Sequence, residues 1–355
     1  MIYRRLLAAS VVLLLAAGCG PASPAGSPPP PRATATKTVT PQPPAAVQED
    51  GGALEPDEVT TLGSLEQVDD YPLYVMTYQG DYVAWVEDVK YDSQPPPGWA
   101  CSLFAALRDE RNLLLGRNFD WQFSPALLLF TDPPDGYASV SMVDIAYLGF
   151  GGDRGQGITE LPLAERRELL SAPFLPFDGM NEQGLAVGMA AVPPGGMQPD
   201  PNKETIGSLG VIREMLDHAA SVDEAVDILT SYNVDMGGGP PIHYLVADAS
   251  GRAVLIEFYQ GEIVVTANEE PWHRATNFLR AEAGESTEGW CWRYDRIGER
   301  LSESGGRLAT DEALELLADV AQGNTQWSLV YGMSSGQVSV VMGRDYEQVH
   351  TFQLE

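Results

Sequence analysis

Cysteine, histidine and basic residues are all scarce in this chain of 355 residues. It carries 21 Lys and Arg against 50 Asp and Glu, which gives a formal net charge of −29. So acidic a chain repels phosphate backbones, and nucleic acid is therefore excluded as an expected partner. With three cysteines in all, a disulfide scaffold is also excluded. A hydrophobic content of 44% is enough for a packed core and excludes a mainly disordered protein.

The N-terminus has a short apolar run behind two positive charges. Arg4 and Arg5 precede residues 6–17, which are apolar at all positions but one. This run is too short to span a bilayer comfortably and has the flanks of a secretory signal. It ends in the sequence LAAGC at Cys19, which resembles the bacterial lipobox. The resemblance implies a signal peptide over 1–18, a lipid on Cys19 and an extracytoplasmic protein anchored to the bacterial cell membrane. Ordinary secretion with cleavage nearby is the alternative.

Composition divides the rest of the chain into three parts. Residues 19–58 are predicted to be an extended tether, because 20–50 contain nine of the 27 prolines and little that could form a core. Residues 59–100 are predicted to be a β-prone pro-region, with a hairpin over 71–85 around a Gln-Gly-Asp turn. Residues 101–355 are predicted to form one large domain.

This large domain has strand patterns at both ends and helical patterns between them. Two strands are expected over 101–108 and 113–119, joined by a polar turn, and a terminal hairpin is expected over 327–342. The predicted helices cover 161–171, 206–219, 222–231 and 310–321. Strand-rich ends with inserted helices favour an α+β fold with two layers of each type, a four-layer αββα sandwich.

The first predicted hairpin brings charged side chains to a cysteine. If its turn is centred between Glu110 and Arg111, antiparallel pairing places Cys101 opposite Asp120. Arg117 is three residues earlier, so strict alternation would send it to the other face, and a bulge after Arg117 is needed to bring both to the thiol. A nearby guanidinium favours the thiolate, which is the reactive form of cysteine. The arrangement is suited to nucleophilic catalysis.

A histidine base for this cysteine is not evident. The four histidines, at positions 218, 243, 273 and 350, lie in no recognisable catalytic motif. One alternative base is the α-amino group of Cys101 itself, with a typical pKa of about 7.7 to 8.0, if the chain is cleaved after Ala100. The prolines at 95–97 break the chain just before, where such a cut could be accommodated.

The segment CSLFAALRDERNLLLGRNFDW, from Cys101 to Trp121, resembles the opening of the linear amide C–N hydrolases. This group contains conjugated bile acid hydrolases, penicillin V acylases and related acyltransferases. Its members are N-terminal nucleophile hydrolases with an αββα fold, made as precursors that expose a catalytic cysteine. The family's arginine and aspartate follow the cysteine by 16 and 19 residues, as Arg117 and Asp120 do.

Three later segments extend the resemblance over essentially all of 101–355. The sequence GMNEQGL is similar to the family's MNEKGL stretch and implies a role for Asn181. The sequence VVTANEEPWHRATNF resembles the segment that supplies a second asparagine, for which Asn268 is the first choice and Asn277 the second. The two family asparagines would hold the oxyanion together with backbone N–H groups. The sequence CWRYDRI resembles the family's late arginine segment and carries Arg293.

The resemblance also implies a mechanism. The Cys101 amine would take the thiol proton, and the thiolate would attack an amide carbonyl. Asp120 would orient the amine, and Arg117 and Arg293 would supply positive charge around the thiolate. Water would then hydrolyse the thioester, or an amine would capture it in an acyltransferase. No metal and no organic cofactor is required.

Each of these residues also has a structural interpretation. Cys101 and Cys291 could form a disulfide in an oxidising compartment. Arg117 and Asp120 could be a structural ion pair, and Asn181 could be a turn residue before a glycine. The alternative to an enzyme is a non-catalytic surface lipoprotein that uses the fold for binding.

The expected substrate is a small N-acyl compound. The segments 121–160 and 190–205 are rich in Pro, Gly and apolar residues, which suits an apolar acyl group. Bile salts, penicillin V, acyl-homoserine lactones and N-acyl amino acids all satisfy that condition. The sequence does not choose among them, and it leaves the oligomeric state open.

Overall fold

The computed structural model describes residues 37–38, 54–82, 100–237, 239–284 and 286–355. The predicted signal peptide and the predicted lipid site at Cys19 lie outside these residues, as do residues 83–99 before the predicted cleavage site. Within the described ranges, no helix is both long enough and apolar enough to cross a membrane.

The described chain contains eighteen strands and six α-helices. The strands are β1 (Lys37–Thr38), β2 (Glu66–Asp69), β3 (Leu73–Thr77), β4 (Ala100–Ala106), β5 (Leu114–Asp120), β6 (Ala126–Thr131), β7 (Ser139–Asp144), β8 (Asp178–Asn181), β9 (Ala186–Ala191), β10 (Thr205–Gly207), β11 (Asn233–Asp235), β12 (Ile242–Ala247), β13 (Ala253–Tyr259), β14 (Glu262–Ala267), β15 (Trp272–Ala275), β16 (Thr325–Gly332), β17 (Gln337–Met342) and β18 (His350–Gln353). The helices are α1 (Pro56–Gly63), α2 (Gly210–His218), α3 (Val222–Ser231), α4 (Arg280–Ala283), α5 (Trp292–Glu303) and α6 (Thr310–Asp319), and the longest 3₁₀ segment is Leu163–Phe174.

Two large sheets are formed by these strands. The seven-stranded sheet has the order β1-β18-β17-β16-β5-β4-β15, and the nine-stranded sheet has the order β14-β13-β12-β9-β8-β7-β6-β3-β2. A small parallel pair, β10 and β11, lies apart from both. The central strands β4 and β5 are buried at every position, as expected for strands covered on both faces.

The apolar side chains form layers around the two sheets. Leu103, Leu115 and Val187 belong to the core between the sheets. On the outer face of the seven-stranded sheet, Phe104 of β4 packs with residues of α5 and α6. On the outer face of the nine-stranded sheet, Tyr74 of β3 packs with α1 and the 3₁₀ segment, while α2 contacts β8 and β9 further along. The four-layer αββα sandwich predicted from the sequence is therefore confirmed.

Most of the predicted elements are present, with shifted ends. The strands expected over 101–108 and 113–119 are β4 and β5, and the terminal hairpin is β16 with β17. The helix predicted over 161–171 is wrong, since that stretch forms most of the 3₁₀ segment, which contains Pro173. The helix predicted over 206–219 begins at Gly210, because residues 205–207 form β10.

The segment before the predicted cleavage site has a fold different from the expected one. Its hairpin is formed by β2 and β3, with Asp69 paired to Leu73, and not by two arms around the Gln-Gly-Asp turn. Residues 78–82 are not a strand, and the end of the predicted hairpin, 83–85, lies outside the described residues. Helix α1 also begins inside the stretch predicted to be a tether. It has a capping box, in which the Glu58 carboxylate accepts from the Glu55 backbone N–H at 2.7 Å.

Candidate active site

Cys101 is the second residue of β4 and is paired with β5. The pairing places Cys101 opposite Phe119 and Ala100 opposite Asp120. The prediction that Cys101 lies opposite Asp120 is therefore wrong by one residue. The reason lies in the turn, which is centred on Glu110 itself, since Ala106 pairs with Leu114.

Arg117 and Asp120 lie on opposite faces of β5, and no bulge brings them together. Pairing between β4 and β5 is regular from Leu114 through Asp120, so the alternation of a strand is kept. The irregularity lies instead in β16, where the register shifts between Thr325 and Trp327. The predicted bulge after Arg117 is therefore wrong. Arg117 contacts the Cys101 thiol, whereas Asp120 contacts Arg293.

The thiol side of Cys101 faces Arg117 and the second sheet. The Arg117 Nη2 atom lies 3.8 Å from the Cys101 Sγ atom. The same guanidinium donates to the Phe177 carbonyl at 2.8 Å and forms an ion pair with the Asp178 carboxylate. Tyr331 donates its hydroxyl to Asp178 at 2.6 Å. All of these side chains are buried, so the ion pair fixes the guanidinium beside the sulfur.

Asp178 was missed by the sequence reasoning. It directly precedes the GMNEQGL stretch on β8, and its position beside that motif is the one signal that could have found it. Burial raises the pKa of the Asp178 carboxyl, and the Arg117 guanidinium acts to lower it. The charge on Arg117 therefore stabilises the ionised form of both Asp178 and the thiolate.

The Cys101 thiol is buried while the chain is intact. It is 3% exposed, and the preceding Ala100 is 1% exposed. Burial raises the pKa of the Cys101 thiol, while the Arg117 guanidinium acts to lower it and the Asp120 carboxylate to raise it. The net rise favours the neutral thiol as long as residue 100 remains in place.

The backbone of Cys101 is held from the other side. The Cys101 N–H donates to the Asn277 Oδ1 atom at 2.6 Å. Arg293 donates to the same Asn277 oxygen at 2.9 Å and to the Ser102 hydroxyl at 2.9 Å, and it also donates to the Cys101 carbonyl. Asn277 in turn donates its amide to the Ala191 carbonyl at 2.7 Å. Asn277 and Arg293 thus clamp the peptide group on each side of the Cys101 α-carbon.

Asp120 contacts Arg293 instead of the Cys101 nitrogen. Its carboxylate accepts from Thr325 Oγ1 at 2.5 Å and Gln322 Nε2 at 2.9 Å, and it lies 3.7 Å from Arg293 Nη1. Burial raises the pKa of the Asp120 carboxyl, and Arg293 acts to lower it. In the uncleaved chain the group that accepts from the Cys101 N–H is Asn277, not Asp120. Asp120 supports Arg293, which contacts Asn277.

Asn181 is not brought to Cys101. Its amide donates to the Leu216 and Ala219 carbonyls at 2.9 and 2.7 Å, and its side-chain oxygen accepts from the Gln183 and Leu185 backbone. The end of β8 that contacts Arg117 is Asp178, and Asn181 is about 10 Å further along the strand. The interpretation of Asn181 as a turn residue is the one that these bonds support.

Asn268 is also not brought to Cys101. It follows β14, the edge strand of the nine-stranded sheet. Its side chain accepts from the Ala253 N–H at 2.9 Å and donates to the Glu270 carbonyl at 2.9 Å. Asn268, which was the preferred candidate, therefore closes a turn at the sheet edge. The other candidate, Asn277, is the asparagine that contacts Cys101. Both asparagines lie in the same segment that resembles the family's, so the sequence did not separate them.

Two further predictions concern the chemistry of the thiol. Cys101 is a free cysteine, so the alternative of a disulfide with Cys291 is wrong.

All four histidines lie in the described part of the chain, and their rings contact other groups: Glu214 for His218, Glu257 for His243, Thr266 for His273 and Asp69 for His350. None of these contacts reaches the Cys101 thiol.

A cavity of about 510 Å³ is lined by residues that follow β9. Its lining includes Val192, which directly follows Ala191, the residue whose carbonyl accepts from Asn277. Its apolar lining includes Val192, Met197, Val234, Met236, Ile242 and Phe258. Polar side chains, such as those of Gln198 and Asp235, are a minority of the lining. A cavity of this size and polarity is suited to an apolar group of a small molecule.

Comparisons with known proteins bear on the family and the fold. Residues 166–277 match the family of linear amide C–N hydrolases, choloylglycine hydrolase family. A mutant conjugated bile acid hydrolase from Clostridium perfringens is similar in structure, with 16% identity, a TM-score of 0.51, and coverage of 72% of this chain and 92% of that chain. A second variant of that enzyme has 14% identity and a TM-score of 0.50, over 71% of this chain and 92% of that one. These structures share the N-terminal nucleophile hydrolase fold with this chain. The matched family indicates a hydrolase that acts on the C–N bonds of linear amides.

Proposed function

We propose that this protein is a cysteine N-terminal-nucleophile amidohydrolase that cleaves its own chain between Ala100 and Cys101 and then hydrolyses N-acyl compounds. The observation that carries the proposal is the setting of Cys101. Its thiol lies 3.8 Å from Arg117, and its backbone nitrogen is bound by Asn277 at 2.6 Å. A thiol and its own backbone nitrogen are thus held by separate, buried groups, as a nucleophile with an amine base requires.

Cleavage after Ala100 would supply both a base and access to the sulfur. In the intact chain the Cys101 nitrogen is an amide without a basic lone pair, and Ala100 is buried in β4 beside Asp120. Attack of the thiol on the Ala100 carbonyl carbon forms a thioester, breaks the C–N bond and leaves the proton on the Cys101 nitrogen. Water then hydrolyses the thioester, which releases the Ala100 carboxylate and restores the thiol. The new α-amine has a typical pKa of about 7.7 to 8.0, which suits a base near neutral pH.

Turnover of a substrate would repeat this chemistry on an external amide. The Cys101 amine takes the thiol proton, and the thiolate adds to the amide carbonyl carbon. The amine proton then passes to the leaving nitrogen, and water hydrolyses the thioester. Arg117 stabilises the thiolate, while Asn277 and Arg293 hold the amine in place.

The cavity supports a substrate with an apolar acyl group. Its lining includes Val192, which directly follows Ala191, and the Ala191 carbonyl is bound by the same Asn277 side chain that binds Cys101. The mostly apolar lining is suited to an acyl chain. N-acyl amino acids, acyl-homoserine lactones, penicillin V and conjugated bile acids carry such groups, and one of the similar structures is a conjugated bile acid hydrolase.

The location of the enzyme is proposed from the N-terminal sequence. The apolar run at 6–17 and the LAAGC sequence at Cys19 support export, removal of 1–18 and lipid attachment at Cys19. The membrane would then be a partner through that anchor. Mass spectrometry of the exported protein, compared with a Cys19→Ala variant, tests this. A diacylglycerol-sized mass difference at residue 19 is expected, and export of an unmodified Cys19 would contradict the anchor.

The decisive experiment is the intact mass of the purified protein with and without a thiol alkylator, followed by assay on a panel of N-acyl amides. We expect a polypeptide that begins at Cys101, one adduct on Cys101, and loss of activity on alkylation. An active protein with an intact Ala100–Cys101 bond would rule out the amine base. Addition of a free amine to the assay separates hydrolysis from acyl transfer, because only an acyltransferase converts the amine to an amide.

The two candidate asparagines give a matched pair of variants. Asn277→Ala is expected to lower kcat/KM about 100-fold or more, because it removes the acceptor of the Cys101 nitrogen. Asn268→Ala is expected to stay within about twofold of the parent, since its side chain closes a turn at the sheet edge. Steady-state kinetics on a processed sample test both. A larger loss for Asn268→Ala than for Asn277→Ala would restore the original first choice.

A further inference from the structure

The segment before the cleavage site supplies β2 and β3, the last two strands at one edge of the nine-stranded sheet. Its strand β3 pairs in parallel with β6, which lies after the cleavage site, over the five positions from Leu73 to Thr77. Leu73 and Val75 belong to the core between the sheets, while Tyr74 and Met76 belong to the core on the outer face. A strand that is buried on both faces cannot leave without exposing both cores to water.

A buried hydrogen bond joins Tyr82, at the end of this segment, to Asp217 of α2. Tyr82 is 1% exposed and donates its hydroxyl to the Asp217 carboxylate, at 2.7 and 2.8 Å from its two oxygens. Asp217 lies on α2 and is paired with Arg213 at 2.6 Å, and the Arg213 guanidinium faces the Tyr82 ring at 5.6 Å. Because Asp217 is itself buried, the hydroxyl bond is made in a dry site, where loss of a partner is costly.

A second contact reaches the surroundings of Asp120. Tyr71 donates its hydroxyl to Gln326 Oε1 at 2.7 Å. Gln326 is the residue at the irregularity of β16, next to Thr325, whose hydroxyl donates to Asp120 at 2.5 Å. In the same segment, Asp69 Oδ2 is hydrogen-bonded to His350 Nε2 at 2.6 Å. The segment therefore contacts both sheets and the strand end that positions Asp120.

We infer that residues 54–82 remain bound after cleavage as a small subunit of the mature enzyme, an inference that rests on the proposed cleavage after Ala100. The partner surface is the β6 edge together with Asp217, Arg213 and Gln326. One consequence follows for location: if Cys19 carries a lipid, the small subunit anchors the catalytic chain, and cleavage does not release it from the membrane.

Native size-exclusion chromatography of the processed full chain tests this inference, with denaturing electrophoresis of each fraction. Both polypeptides are expected in one peak, in low and in high salt. Elution of the small chain apart from the chain that begins at Cys101 would overturn the inference. A Cys101→Ala variant with a protease site engineered into 83–99, cut by that protease, makes the same measurement without self-cleavage. An uncleaved parent chain would then refute the proposed function, whereas separation of the cut variant's two pieces would refute the subunit.

Two tyrosine variants test the hydrogen bond between Tyr82 and Asp217. Tyr82→Phe removes only the hydroxyl that binds Asp217, and it is expected to speed dissociation of the small chain in urea by about tenfold. Tyr78→Phe is the matched control, because Tyr78 lies in the same segment, packs against Tyr82 at 5.5 Å, and has no hydroxyl partner among the described residues. Its dissociation rate is expected to equal that of the parent. Equal dissociation rates for the two variants would show that the hydrogen bond from Tyr82 to Asp217 does not stabilise binding of the small chain.

Discussion

Cys101→Ala is expected to abolish both cleavage of the chain and amide hydrolysis. The thiol is the attacking group in each reaction, and no other described cysteine thiol is free. Removal of a covalent nucleophile lowers kcat by about 10⁴-fold or more. The variant should accumulate as one uncleaved polypeptide, visible by denaturing electrophoresis and intact mass, with no turnover of any amide in the panel.

The control for this variant is His218→Asn. His218 is half-exposed at the end of α2, and its ring lies 4.0 Å from the Glu214 carboxylate on its own helix, so cleavage and turnover should match the parent. A fold check by thermal unfolding separates a missing nucleophile from a misfolded protein. Cleavage after Ala100 in the Cys101→Ala protein would show that another group attacks that bond, and the proposed mechanism would fail.

Arg117→Leu is expected to have the second largest effect, on stability and on thiol reactivity together. The substitution leaves the Asp178 carboxylate buried and without its ion-pair partner. Breaking a buried pair on one side costs about 3–5 kcal/mol. For a domain of this size that corresponds to a fall in Tm on the order of 10 °C. Differential scanning calorimetry measures it directly.

The thiol effect of Arg117→Leu has a definite sign. The guanidinium acts to lower the pKa of the Cys101 thiol against burial, so its loss raises that pKa further. The rate of alkylation of Cys101 should therefore rise at higher pH than in the parent, and at neutral pH the variant should react more slowly.

The double variant Arg117→Leu with Asp178→Asn separates the two effects. It removes both charges and leaves an amide that can still accept from Tyr331, so most of the lost stability should return. The alkylation profile should stay shifted to higher pH, because the guanidinium is still absent. A double variant with the parent's pH profile would show that Arg117 does not act on the thiol.

Local patterns predicted the elements around the nucleophile well. The strands β4 and β5 follow from their alternation and from the polar turn between them, and that hairpin alone places Arg117 and Asp120 near Cys101. The register was wrong by one residue because the loop could be centred on Glu110 or on the bond after it, and sequence does not distinguish the two. A shift of one residue changes which face each side chain occupies.

Local sequence patterns could not identify the residues that bind the Cys101 backbone. Cys101 and Asn277 are 176 residues apart in sequence, and Asn268 and Asn277 both lie in the stretch that resembles the family segment. The choice between them depends on β15, which pairs with β4 and ends at Ala275, two residues before Asn277. Asn268 instead ends an edge strand of the other sheet. Similarly, Asp178 is identified as a site residue only by its ion pair with Arg117, which joins β8 of one sheet to β5 of the other.

The class of the fold, the nucleophile candidate at Cys101 and the spacing of Arg117 and Asp120 after it could be read from the amino-acid sequence, because they depend on periodicity and on one short hairpin. Three contacts are visible only in the folded chain: Asn277 binds the Cys101 nitrogen, Asp120 supports Arg293, and residues 54–82 complete the nine-stranded sheet. Those contacts join residues that are distant along the chain, and their geometry is set by how the two sheets pack.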